Sequence, residues 1–205
     1  MPQDVASGEQ PRGAVRVVFV RALVVVVSGA LIAASAAGGY VAAGKLDFQV
    51  SEPGDVSSAP FIVETDEFTI ELPGAPVVRD EVVTDAELEI PVTTWNAARA
   101  DGSGVVVLSA DYTQALQLPG FSVDLMYDAI AQSAEANFDG TLVSSEGVAV
   151  DDDVARRIVL QGRGEYLFMY SVIHDGTLVK IAETSTSDTP PPEFEAVIAS
   201  LVWKG

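Results

Sequence analysis

The sequence predicts an α+β protein in which a central antiparallel β-sheet is flanked by helices and preceded by one transmembrane helix. Three observations carry this prediction. Short stretches of alternating apolar and polar residues, typical of strands, are separated by turn signals such as Asp175-Gly176. One stretch, residues 123–138, has apolar residues at helical spacing. The 23 residues from Ala22 to Gly44 carry no charge, a length sufficient for a helix to cross a bilayer.

The uncharged run predicts a retained membrane anchor. Three arginines precede it, whereas acidic residues follow it soon after Lys45. By the positive-inside rule, residues 1–21 form a cytoplasmic tail, residues 22–44 span the cell membrane, and the rest is extracytoplasmic. The alternative is a signal peptide cleaved near residues 34–36, which would release the body as a secreted protein. Both interpretations export the body.

A flexible linker and one folded domain follow the span. Residues 45–60 are rich in Ser, Pro, Gly and Asp, a composition typical of tethers. Within the domain, residues 61–205, the first strands are predicted at Phe68–Leu72 and over residues 88–99. A third contains the unbroken apolar run Val105–Leu108, which predicts burial on both faces of the sheet.

The helical stripe is followed by further strands and a closing helix. Ser122 is placed to cap the first helix and Gly140 to end it. Segments around the acidic turn at 151–153 and around Asp175-Gly176 predict two hairpins. The closing helix, "TPPPEFEAVIASLVW", is expected to begin at a Thr189 cap. Dominant hairpins favour an antiparallel sheet over a doubly wound parallel one.

Several phrases of the sequence resemble a known group of exported domains. These are "FTIELPGAP", "ARRIVLQGRGEYLFMYSVIHDGTLVKI" and the closing "PPEFEAVIASLVW". Over residues 61–204 the chain resembles PsbP-like and LpqN-type extracytoplasmic domains. The resemblance implies an α/β sandwich with a central antiparallel sheet and a non-catalytic accessory, assembly or docking role. Most LpqN-type proteins carry an acylated cysteine, and this chain has no cysteine.

The charge of the chain restricts its partners. Its 30 acidic and 11 basic residues give a net charge of −19. Such a chain repels nucleic acid, which is bound by clustered lysines and arginines. Basic proteins, cationic peptides and metal ions are better matched to it on charge alone, although high solubility also accounts for the acidity. The lack of cysteine excludes disulfides, thiolate zinc sites and cysteine nucleophiles.

The residues that could carry chemistry are few. His174, the only histidine, directly precedes a predicted hairpin turn and is expected to be a solvated turn residue. Ser171 near it lacks the G-x-S-x-G elbow of a serine hydrolase. The aspartates at 151–153 lack the alternating ligands of a calcium loop, so specific metal binding there stays open. No reaction and no cofactor are predicted.

Two further groups are candidate binding residues. Arg156 and Arg157 point to opposite faces of a strand; one is expected to pair with a carboxylate and the other to cover an apolar face, and they are candidates for docking a partner or an anion. Tyr166, Phe168 and Tyr170 are candidates for lining a ligand pocket between sheet and helix.

The sequence therefore predicts a non-catalytic, membrane-anchored module that binds a protein partner as an accessory subunit or assembly factor of a membrane complex. The alternative is a carrier of a lipid or small molecule.

Overall fold

A computed structural model describes residues 60–85, 88–99, 103–118, 121–150, 153–162 and 164–205. The predicted tail, the predicted span and nearly all of the linker lie outside these residues, as does the predicted turn at 101–102. None of the helices within the described ranges combines the length and the apolarity needed to cross a bilayer.

Ten strands form two antiparallel sheets in the described part of the chain. The strands are β1 (Phe61–Glu64), β2 (Phe68–Leu72), β3 (Val77–Asp85), β4 (Leu88–Ala98), β5 (Gly104–Asp111), β6 (Thr141–Val150), β7 (Asp153–Gly162), β8 (Glu165–His174), β9 (Thr177–Ser185) and β10 (Val202–Trp203). The large sheet has the order β3-β4-β5-β9-β8-β7-β6, and the small sheet the order β1-β2-β10. The predicted antiparallel sheet with helices is confirmed.

The hairpin between β8 and β9 is the most closely predicted turn. His174 pairs with Thr177, and the two turn residues, Asp175 and Gly176, have φ angles of 45° and 90°. Asp and Gly are the residue types that adopt this left-handed backbone at low strain, which is why the dipeptide specifies a two-residue turn.

Three helices lie in the described part of the chain: α1 (Thr113–Leu116), α2 (Val123–Phe138) and α3 (Pro192–Ala199). The bounds of α2 are those predicted. Ser122 holds the N-cap position, but its side chain makes no capping hydrogen bond. Asp139, with a φ of 53°, supplies the left-handed residue that ends the helix, one position before the expected Gly140.

The closing helix is shorter than predicted at both ends. It begins at Pro192 after Pro191, not at Thr189. It ends at Ala199, and Ser200 at the C-cap donates from Oγ to Val197 O at 2.8 Å and accepts the N–H of Glu71 at 2.9 Å. The chain then pairs with β2 as strand β10, in a small sheet that periodicity alone did not predict.

Two hydrophobic cores lie on the two faces of the large sheet. One core packs against α2 and contains Val106 and Leu108. The other packs against the small sheet and α3 and contains Val105 and Val107. The predicted burial of this strand on both faces is confirmed, because all four side chains are buried. The domain is therefore layered as helix, large sheet, and small sheet with helix.

Candidate functional site: an acidic groove

An open groove of about 940 Å³ lies where the small sheet meets one end of the large sheet. One wall is the turn between β1 and β2, residues Glu64–Glu67. The floor comes from β4, with Pro91, Thr93 and Trp95. The ends of β5 and of the β8–β9 hairpin close the far side with Asp111 and other polar residues.

Carboxylates dominate the electrostatics of this groove. Five acidic side chains line it, and they are Glu64, Asp66, Glu67, Asp111 and Asp175. The one cation among the lining residues, Lys204, donates from Nζ to Glu64 Oε1 at 3.0 Å and to Thr65 O at 2.6 Å. Its charge is thus partly offset inside the wall, and the groove presents a negative field to its surroundings.

Local hydrogen bonds hold the acidic wall in place. Thr65 Oγ1 accepts the N–H groups of Glu67 at 3.2 Å and Phe68 at 3.0 Å. Phe68 is buried and anchors this turn, because its ring makes edge contacts with Trp95 at 6.1 Å and Trp203 at 5.9 Å. The backbone carrying the carboxylates is therefore fixed before anything binds, which lowers the ordering entropy that binding has to overcome.

His174 lies beside the groove, and its environment differs from the solvated turn expected from the sequence. Its Nδ1 is 2.6 Å from Asp153 Oδ2, and its ring stacks on Trp203 with centroids 4.8 Å apart. The side chain is 32% exposed. The sequence did not indicate the stacking contact, because Trp203 belongs to strand β10, which is distant in the chain.

The His174–Asp153 pair has no serine in place to activate. Ser171 is buried and lies on the same face of β8 as Met169 and Ile173, which pack against α2. His174 is on the opposite face with the groove, so a Ser-His-Asp arrangement does not form here. Within the described ranges, no three or more His, Asp or Glu side chains are grouped to hold a metal ion.

Arg156 and Arg157 project from opposite faces of β7, as predicted, and each pairs with a carboxylate on a different helix. Arg156 Nη2 lies 3.3 Å from Asp124 Oδ1 of α2. Arg157 donates to both carboxylate oxygens of Glu195 in α3, at 2.6 and 2.8 Å. These hydrogen bonds lower the pKa of Glu195 and raise that of Arg157. The sequence predicted one carboxylate pair, and the structure has two.

The aromatic residues proposed to line a ligand pocket lie in the core beneath α3. Phe168 is 1% exposed, and its ring packs against Phe194 at 6.2 Å and Tyr166 at 6.3 Å. Tyr170 is also buried, with the Arg157 guanidinium 5.8 Å from its ring centroid. These side chains pack against their neighbours between sheet and helix.

Sequence reasoning missed the groove residues. The five carboxylates come from the β1–β2 turn, the end of β5 and the β8–β9 hairpin, so no motif connects them. The available signal was the overall excess of acidic residues, which indicates a negatively charged surface but not where on the domain a groove lies.

No family model matches the chain, and no curated protein matches its sequence. In structure, the chain is similar to cyanobacterial PsbP (CyanoP) from Synechocystis sp. PCC 6803, known from a solution structure. The similarity has a TM-score of 0.49 at 11% identity and covers 76% of this chain and 99% of that chain. The resemblance of the sequence to PsbP-like and LpqN-type domains stays a prediction. At this identity and overlap, the similarity assigns no function to the chain.

Proposed function

We propose that this chain is a non-catalytic, membrane-anchored extracytoplasmic module that binds a protein partner, as an accessory subunit or assembly factor of a membrane complex. The observation that carries the proposal is the acidic groove, which is lined by five carboxylates and one internally paired lysine. Its occupant is a positively charged segment of the partner. Lysine and arginine side chains would meet the carboxylates, and their apolar stems would pack over Pro91 and Trp95.

The anchor and linker support the same role. The uncharged run at 22–44 would confine the domain to the membrane surface. The 16 residues of the linker, 45–60, would give a mean reach of about 22 Å if they behave as a flexible chain. Confinement within such a radius raises the effective concentration of a neighbouring membrane protein, so a groove of modest affinity suffices.

Matched charge variants test the groove. The triple variant Asp66→Asn, Glu67→Gln and Asp175→Asn removes three exposed groove carboxylates. The control triple Asp128→Asn, Glu165→Gln and Asp188→Asn removes the same charge from exposed positions that do not line the groove.

The full chain of each variant is extracted from its native membrane in a mild uncharged detergent and purified by affinity. Wild type and the control triple are expected to retain a stoichiometric membrane protein that the groove triple loses. Raising the salt concentration should release the same companion, because salt screens exposed charges. Equal retention by both triples would refute the groove as the docking site, and an isolated wild-type chain would refute the accessory role.

The anchor is tested separately by intact mass. A full-length chain that resists alkaline extraction supports a retained span. A chain that begins near residue 37 and stays soluble supports secretion, and would direct attention to the carrier alternative.

A further inference from the structure

A row of four side chains, three of which carry hydrogen-bond donors, crosses the large sheet on its α2 face. Strand register places Leu108 opposite Lys180, Lys180 opposite Ser171, and Ser171 opposite Arg156. Leu108 belongs to the core that packs against α2. Because residues directly opposite in antiparallel strands point to the same face, the four side chains lie in line beneath this helix.

Three members of this row have buried polar atoms without hydrogen-bond partners among the described residues. These atoms are Lys180 Nζ, Ser171 Oγ and Arg156 Nε. Lys180 and Ser171 are 0% exposed. A buried donor left unpaired is costly, and a buried ammonium much more so. Three such donors on neighbouring strands are complementary to an acceptor that all of them could share.

The charges on this side of the sheet determine which kind of ligand these donors could take. The guanidinium of Arg156 is offset by Asp124 at 3.3 Å. Of the other carboxylates of α2, Asp128 is exposed and Glu135 Oε1 accepts the N–H of Leu142 at 2.8 Å. One positive charge, that of Lys180, is left without an opposing charge among the described groups.

Two tyrosines also face this region, and neither supplies a negative charge. Tyr112 is buried, and burial raises the pKa of its hydroxyl far above the usual range. Tyr127 donates from its hydroxyl to Val154 O at 2.8 Å, and burial raises its pKa to about 12. Both phenols stay neutral at physiological pH.

We propose that Lys180, Ser171 and Arg156 form a binding site for a small monovalent anion beneath α2. Ser171 stands between the two cationic residues, and cross-strand neighbours lie about 5 Å apart at Cβ, so one small ion above Ser171 can contact all three donors. A single negative charge matches the one uncompensated ammonium.

Protonation and anion binding are coupled at this site. Burial lowers the pKa of Lys180 to about 7, and only the ammonium form attracts an anion. Affinity should therefore fall about tenfold for each pH unit above that pKa. Bromide is a suitable probe because it is small and monovalent.

Calorimetric titration of the full chain in uncharged detergent tests the proposal, with sodium gluconate holding ionic strength constant. Wild type is expected to bind one bromide at pH 6 and to bind it about 100-fold more weakly at pH 9. Lys180→Met should abolish binding, and Ser171→Ala should weaken it. Arg79→Gln, which removes an exposed positive charge, should leave it unchanged.

Three results would overturn the proposal: no bromide binding by wild type at pH 6, equal affinity at pH 6 and pH 9, or undiminished binding by Lys180→Met. The pH comparison uses wild type alone, so the proposal is testable even if Lys180→Met does not fold. The site lies on the face of the sheet opposite the groove. Loss of anion binding and loss of partner retention can therefore be measured separately.

Discussion

Arg157 and Glu195 join strand β7 to helix α3 through two parallel hydrogen bonds, at 2.6 and 2.8 Å. Their side chains are 35% and 41% exposed, so solvent screens the pair and its contribution to stability is modest. We expect Arg157→Met or Glu195→Gln to lower the free energy of unfolding by about 0.5–1 kcal/mol. Urea unfolding of both single variants and the double variant measures the coupling. A coupling of zero would mean that the pair only orients α3.

The same pair predicts a pH dependence. The pKa of Glu195 is lowered in the folded state by its hydrogen bonds to Arg157. A carboxylate with a depressed folded pKa stabilises the protein above its unfolded pKa of about 4.3, and this stabilisation is lost as the pH falls through the folded pKa. The stability difference between wild type and Glu195→Gln should therefore be constant near neutral pH and vanish in acid. A difference that persists at pH 2 would contradict this.

Lys180 predicts the opposite kind of dependence. Its folded pKa of about 7 lies below the unfolded value of about 10.4. The unfolded chain therefore binds more protons between these values, and stability should rise with pH across that window. Without small anions, Lys180→Met should be more stable than wild type at pH 7, by about 1–4 kcal/mol. Urea unfolding at pH 7 and pH 10 checks both points, and the gap between the two proteins should narrow at pH 10.

Gly176 tests how strictly the β8–β9 turn requires glycine. Its φ is 90°, and a Cβ added there would lie 2.5 Å from Thr113 Oγ1. Gly176→Ala should lower the free energy of unfolding by about 2–4 kcal/mol, because steric conflict adds to backbone strain. Gly164→Ala is the matched control, since Gly164 has a φ of 83° but open space around its Cβ position. It should cost about 1 kcal/mol, and equal losses in the two variants would show that contact with α1 is unimportant.

Trp203 is expected to secure the small sheet. Its ring packs against Phe68 and His174, with centroids at 5.9 and 4.8 Å. Trp203→Ala should lower the free energy of unfolding by about 2 kcal/mol. It should also speed hydrogen exchange at the Lys204 amide, which donates to Glu67 O at 2.8 Å. Val202→Ala, at an exposed neighbouring position, should change neither quantity appreciably.

Local patterns predicted the elements whose causes are local. The bounds of α2 follow from its apolar spacing, and the Asp175-Gly176 turn follows from the backbone preferences of two residues. The double burial of Val105–Leu108 was evident because the apolar run does not alternate.

Features that depend on distant segments were not predicted. Strand β10 forms because Val202 and Trp203 pair with Thr69 and Phe68, far away in the chain. Lys180 lies on the same face of β9 as Leu178 and Ala182, whereas a lysine in a strand ordinarily indicates a solvent-exposed position. It is buried because a helix covers that face, which is a property of the whole domain. The groove was not predicted from the sequence for the same reason, because its residues come from segments that are far apart in the chain.

Arg156 and Arg157 are adjacent in the chain, yet they are held by helices in different layers, α2 through Asp124 and α3 through Glu195. Neighbouring residues of β7 thus carry the ion pairs to both outer layers. A load that pulls α3 along the sheet acts on the same backbone segment from which Arg156 reaches α2. The two faces of the domain are therefore linked at this point by two partly exposed ion pairs, in addition to the hydrophobic cores.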